Sequence, residues 1–276
     1  MKMCTSGPGW DGIVEFPMSE RQPKPRNIGQ TMVIDKGLGI LELTDMLETA
    51  GPYIDYIKLG FGTSALYTGD ILHKKINLVR SVGIDIYPGG TFLEIAVMQG
   101  KLDQYLKKAK SLGYSCIEVS DGTINMSKQV RKCAIEKALD LGFKVISEVG
   151  KKDVRDEIPN TDILELIGLD IEWGAEKVIV EGRESGKGVV IYDEKGKIKN
   201  KELEEIIRAV PDINRIIWEA PYKNQQQELI IRLGCNVNLG NIHPSDILAV
   251  EALRVGLRGD TLRNYLHLTN TKVMPS

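Results

Sequence analysis

Histidine and cysteine are scarce in this 276-residue chain, which has three of the first and four of the second. His73, His243 and His267 lie far apart, so a zinc triad is not expected. Cys4, Cys116, Cys133 and Cys235 are widely spaced and form no C-x-x-C pair. They read as reduced thiols, with Cys116 in a strand and Cys133 in a helix, and not as a disulfide framework. A long apolar run is also missing; none approaches the ~18 residues a transmembrane helix needs. Charge of one sign is not in excess. The formal net charge is -2, so no basic field draws the chain to nucleic acid or to an anionic membrane. The first 25 residues lack the apolar core of a signal peptide, and the cytoplasm is the expected location.

What is present is ordinary globular composition, 42% hydrophobic and 27% charged, with length enough for one large core. Pro8, Pro17, Pro23 and Pro25 keep residues 1–26 from forming a regular helix, so they read as an extended N-terminal arm. A rhythm then runs over residues 27–266, leaving 267–276 as a tail. Short apolar strands start near Thr31, Tyr56, Gly83, Tyr114, Phe143, Lys177, Arg215 and Asn236. Each is followed by a helical pattern, as at Ile40 to Ala50, Lys128 to Leu141 and Asn200 to Ala209. Eight such units imply parallel pairing through right-handed crossovers and a single-domain α/β (β/α)8 TIM barrel. An open doubly wound sheet would bring a G-x-G-x-x-G turn after the first strand. The turn here is D-K-G-L-G, which does not match.

Alternation within the strands places one residue set inside the barrel. The predicted ring is Asp35, Lys58, Tyr87, Glu118, Ser120, Glu148, Glu181, Glu219 and Asn238, at the C-terminal strand ends where such barrels do chemistry. Five inward carboxylates are costly to bury unless they are paired or hold a cation. Without histidine the cation of choice is Mg²⁺. Glu148, Glu181 and Glu219 are the first candidates as ligands, then Glu118 and Asp121. Cations follow the strands: Lys151 and Lys152 after the fifth, Arg183 and Lys187 after the sixth, and Arg258 in G-L-R-G-D-T. With Ser185, Asn238 and Asn241 they form a predicted site for a small polyanion, phosphate being expected near Gly240, Asn241 and a turn at Gly259 to Thr261.

Seven blocks carry a resemblance. K-L-G-F-G-T-S, Y-P-G-G-T, E-V-S-D-G, E-V-G-K-K, V-E-G-R-E-S-G-K-G, W-E-A-P and G-L-R-G-D-T fall in order from Lys58 to Thr261. Together they resemble the signature blocks of the phosphosulfolactate synthase family. The resemblance implies a (β/α)8 barrel and Mg²⁺-dependent addition of sulfite to phosphoenolpyruvate, giving (2R)-phospho-3-sulfolactate. In archaeal members that product leads to coenzyme M. It implies Lys152 beside the ring as the general acid, with Lys58 as the alternative and Lys151 adjacent. Arg183, Lys187 and Arg258 would hold phosphate and sulfite. The expected partners are these small anions and further copies of the chain in a homo-oligomer. Two other readings stay open: a Schiff-base aldolase built on Lys58, and a non-enzymatic stress-associated barrel of the same family.

Overall fold

The computed structural model describes residues 9–10, 12–152 and 158–269. Eight strands form one sheet: β1 (Thr31–Asp35), β2 (Tyr56–Leu59), β3 (Asp85–Pro88), β4 (Cys116–Val119), β5 (Lys144–Val149), β6 (Lys177–Val180), β7 (Ile216–Glu219) and β8 (Leu239–Ile242). Their order is β3-β2-β1-β8-β7-β6-β5-β4, and every pairing in the sheet is parallel. The seam between β3 and β4 is joined at Ser115. Its backbone N–H donates to Ile86 O at 3.3 Å, and its Oγ accepts from Ile86 N at 3.0 Å. The sheet therefore curls into a (β/α)8 barrel, with no free edge left to cover.

The helices are α1 (Ile40–Ala50), α2 (Gly69–Ser81), α3 (Gly90–Met98), α4 (Leu102–Leu112), α5 (Lys128–Asp140), α6 (Asn160–Glu172), α7 (Asn200–Ala209), α8 (Lys223–Leu233), α9 (Ile247–Arg254) and α10 (Gly259–Thr269). Several stop where a glycine takes a left-handed backbone, as at Gly113 (φ 92) after α4, a conformation that costs any residue with a Cβ. Among the described residues no helix is long and apolar enough to cross a membrane. The expected turn at Gly259 to Thr261 is the first turn of α10. That helix runs on to Thr269, past the expected start of the tail.

Strand parity divides the core in two. Val33, Ile57, Leu59, Ile117, Val119, Val178, Val180, Ile216 and Trp218 face the helices in the main apolar cluster. Met32, Tyr56, Tyr87, Cys116, Ile146, Ile179 and Ile217 fill the barrel interior. This inner layer is apolar at mid-height. Two residues further along β2, β4, β5 and β7, the same parity carries Lys58, Glu118, Glu148 and Glu219, and one step past β6 it carries Glu181. The interior is thus a plug of side chains below and a charged mouth above.

Residues 12–30 contain no helix or strand but are partly tied to the barrel. Arg21 pairs with Glu251 of α9 at 2.8 Å, and Arg26 pairs with Asp55 at 2.8 Å.

Candidate active site

Lys58 stands at the centre of the mouth. Its side chain is buried, and Nζ lies 3.1 Å from Glu118 Oε2, 3.0 Å from Glu148 Oε2 and 3.2 Å from Glu219 Oε1. Burial alone would lower its pKa, but the three carboxylates outweigh burial and hold it well above the usual lysine value. The second ammonium, Lys152, lies in the loop after β5. Its Nζ is 3.1 Å from Glu148 Oε1 and 3.8 Å from Glu181 Oε2, and it donates to Thr91 Oγ1 at 3.0 Å. Burial pulls its pKa down, yet Glu148 and Glu181 raise it overall.

The carboxylates differ in what holds them. Glu118 Oε1 accepts from Gly90 N at 2.6 Å, at the first residue of α3. Burial pushes Glu118 up to about 7, against the pull of Lys58. Glu148, although burial would raise it, is held well below the ordinary carboxylate range by Lys152 and Lys58. Glu181 Oε1 accepts from Arg183 N at 2.7 Å, while burial and the charges of Glu148 and Glu219 push its pKa up. Glu219 Oε2 accepts from Gly182 N at 2.9 Å.

These groups line a cavity of about 290 Å³ at the mouth, together with Gly89, Gly90, Thr91, Phe61, Arg183, Glu184, Ser185 and Asn241. Three of these residues have unusual backbones. Phe61 (φ 55), Arg183 (φ 60) and Asn241 (φ 54) are all left-handed without being glycine, a strain that clusters at functional sites. The cause at Asn241 is a register shift. Thr31 pairs with Leu239, but Val33 pairs with Ile242, so β8 carries one extra residue. That bulge places Asn241 at the cavity, with Oδ1 buried and without a hydrogen-bond partner. Its backbone N–H meets only the Met32 sulfur, at 3.5 Å.

Of the ring expected from the sequence, Lys58, Glu118, Glu148, Glu181 and Glu219 converge. Asp35 does not, because it shares the parity of Val33 and faces the helix layer. There it meets Lys75 of α2 at 2.7 Å and accepts from Gly37 and Leu38 N–H groups. Asn238 precedes β8, at the opposite end of the barrel. Its Oδ1 accepts from Gln30 N and its Nδ2 donates to Asn214 O and Ile216 O, so it ties the start of β1 to the barrel floor, away from the cavity. Ser120 turns to Glu94, to which it donates at 2.6 Å. Tyr87 belongs to the apolar layer beneath the carboxylates.

Four further residues expected at the site lie outside its lining. Asp121 pairs with Arg131 at 3.0 Å. Lys151 donates to Asp121 O at 2.7 Å and to Ile124 O at 3.0 Å, so it fastens the loop after β4, whereas its neighbour Lys152 enters the cavity. Lys187 is exposed and stands beside Gly196, beyond the cavity wall. Arg258 lies just before α10, with Asp260 at 4.0 Å.

Sequence reasoning missed Thr91 as a site residue, along with Gly89 and Gly90. Their signal was present in Y-P-G-G-T: two glycines between a strand and a helix let backbone approach a ligand. A Cβ on Gly90 would stand 2.6 Å from Glu118 Oε1, so no other residue fits beside that carboxylate. Glu184, which also lines the cavity, pairs with Lys36 from the loop after β1 at 2.5 Å.

One oxygen each of Glu148, Glu181 and Glu219 lie within 4.8 Å of one another. Glu148 Oε1 and Glu181 Oε2 are buried, and beside them stands the Lys152 ammonium, at 3.1 and 3.8 Å, without hydrogen-bond geometry. When fully ionised, the four glutamates outweigh Lys58 and Lys152 by two negative charges. A hard divalent cation fits that donor set and that deficit.

Known proteins match most of this chain. The family model of (2R)-phospho-3-sulfolactate synthase (ComA) matches residues 19–260. The phosphosulfolactate synthase of Methanothermobacter thermautotrophicus is 44% identical over 250 residues, covering 90% of this chain and 96% of that protein. That of Methanocaldococcus jannaschii is 46% identical over 235 residues, covering 84% and 93%. Among solved structures, phosphonopyruvate hydrolase superposes with a TM-score of 0.53 at 16% identity, over 88% of this chain and 84% of that one, a likeness of fold alone.

Proposed function

The chain belongs to the (2R)-phospho-3-sulfolactate synthase family, and on that premise we propose that the charged mouth of its barrel adds sulfite to phosphoenolpyruvate with the help of Mg²⁺. The observation that carries this reading is the convergence of four buried glutamates on two ammonium groups inside one cavity.

The reaction sets three demands. Sulfur of sulfite attacks the methylene carbon of phosphoenolpyruvate, forming the C–S bond. The electron pair of the C=C bond moves towards the substrate carboxylate. A proton then reaches the carbon that bears the phosphate. Glu148, Glu181 and Glu219 would hold the Mg²⁺, which when bound supplies positive charge where the substrate carboxylate gains electron density. Lys152 is the proposed proton donor. It is protonated at neutral pH, lines the cavity and is aimed by Thr91 and Glu148. Lys58 is enclosed by three carboxylates and serves to keep them together. Arg183, Ser185 and Asn241 are placed to receive the anionic groups of the substrates, Asn241 through its amide Nδ2, the end that donates.

A Schiff-base role for Lys58 fits less well. A lysine nucleophile needs a lowered pKa, and the carboxylates raise this one. We also propose a cytoplasmic location, which suits the free thiols of Cys116, Cys133 and Cys235, and assembly as a homo-oligomer.

Titration calorimetry with Mg²⁺ tests the metal site without recourse to activity. The wild type should bind one equivalent, and Glu181→Gln should weaken binding at least tenfold. Equal binding by the two proteins would remove Glu181 from the ligand set.

A further inference from the structure

Two surfaces that the active site does not use match each other. The first is on the arm. Trp10, Ile13, Val14 and Phe16 are 73, 73, 59 and 41% exposed. Directly after them the chain is held fast. Met18 N donates to Val255 O at 3.2 Å, Pro17 and Met18 pack over Gly256, and Arg21 pairs with Glu251 at 2.8 Å. Four large apolar side chains beside a firmly anchored segment call for a surface to cover them.

The second surface is a groove of about 280 Å³ between α3 and α4. Its walls are Phe92, Ile95 and Ala96 on one side and Tyr105 and Leu112 on the other. Met98, 66% exposed at the end of α3, lies next to it in the chain. The charged residues that line it are Lys101 and Lys108, both cations. The arm is complementary: it carries Glu15 and has no lysine or arginine between Gly9 and Phe16.

The arm does not occupy the groove of its own barrel, since Trp10, Ile13, Val14 and Phe16 all stay exposed. Its anchor is on α9, after β8, whereas α3 and α4 follow β3, three strands away in the sheet order. Neighbouring helices stand about 8–10 Å apart, so the path around the outside is roughly 25–30 Å. From Met18 to Ile13 an extended chain covers at most about 18 Å, which leaves Ile13, Val14 and Phe16 short of that groove.

We propose that Trp10 and residues 12–16 of one copy dock in the α3–α4 groove of a second copy, with Glu15 facing Lys101 and Lys108. This rests on the homo-oligomer reading and names the surface that builds it. The test is molar mass by light scattering on the full chain. Wild type is compared with Ile13→Asp in the arm and Ile95→Asp in the groove, with circular dichroism confirming that each is folded. The wild type should exceed the 30.7 kDa of one chain, and each variant should fall towards it. An equimolar mixture of the two should regain mass, since each supplies the half the other has lost. If the variants keep the wild-type mass, or the mixture stays monomeric, the docking is wrong while assembly stands. A monomeric wild type overturns both. The Ile13→Asp variant changes only an exposed side chain, so it decides the question even if Ile95→Asp does not fold.

Discussion

Lys58 and Lys152 show how much depends on single positions. Replacing Lys58 by Met leaves the buried Glu118 and Glu219 without an ammonium partner and Glu148 with Lys152 alone. Breaking a buried ion network by removing one partner costs about 3–5 kcal/mol, so Lys58→Met should lose stability of that order in urea unfolding, together with activity. The two adjacent lysines should separate cleanly. Lys152→Ala should lower kcat by about 10²–10⁴-fold, the range of a lost general acid. Lys151→Ala should keep kcat within a few-fold, because its ammonium reaches Asp121 and Ile124 and not the cavity. Comparable losses in the two variants would contradict the assignment. For Glu118 and Glu181 the pH dependence has one sign, opposite to that of Glu148. Glu118 moves from 4.5 to about 7 on folding, so its proton-bound form stabilises the fold. That contribution is complete below about pH 4.5 and is lost as pH rises through about 7; Glu181 is shifted in the same direction. Mg²⁺ at the proposed site would offset the resulting repulsion. The rise in Tm on adding Mg²⁺ should therefore be larger near pH 8 than near pH 5.5, and equal shifts would count against metal at these glutamates. The resemblance already put Lys152 ahead of Lys58 as the acid, whereas the place of Asp35 was not legible in the sequence. The residues of β1 are all buried, so alternation of apolar and polar residues does not report which way its last residue faces.

At the scale of elements, helix ends aim the carboxylates. The first N–H of α3 binds Glu118, so Gly90→Ala should displace that glutamate and lower kcat at least tenfold with the fold retained. Wild-type kinetics from this variant would mean that the α3 terminus does not set the site. A second contact fixes β5. Arg131 of α5 makes two bonds to Asp170 of α6, at 2.8 and 2.7 Å, and its Nη2 also donates to Glu148 O at 2.8 Å. Asp170→Ala leaves the buried Arg131 guanidinium with Asp121 and Glu148 O alone and should cost about 3–5 kcal/mol, measured by chemical denaturation. The strand-and-helix rhythm gave the boundaries of β1, α1 and α7 because apolar runs, glycine stops and loop composition agree there. It misplaced the start of β8. Asn238 looked like a strand-end residue, but the strand begins at Leu239, and the bulge that presents Asn241 leaves no trace in residue pattern. The helical nature of Gly259–Thr269 was likewise hidden behind a motif that read as a turn.

For the molecule as a whole, repetition was the strongest signal. Eight strand–helix units specify a closed barrel, and closure brings Lys58, Glu118, Glu148, Glu181 and Glu219 together from five strands. Convergence of residues so far apart in sequence was legible because each stands at the same relative position in its own unit. Which of the loop cations enter the cavity was not, since Arg183 enters it while Lys187 and Arg258 do not. The central claim is that this mouth joins sulfite to phosphoenolpyruvate. The most direct measurement incubates the purified protein with phosphoenolpyruvate, sulfite and Mg²⁺ and follows phosphosulfolactate by mass spectrometry, with and without EDTA. The account predicts product that accumulates with Mg²⁺ and falls to background when the metal is chelated. Folded protein that forms no product with all three present would contradict it.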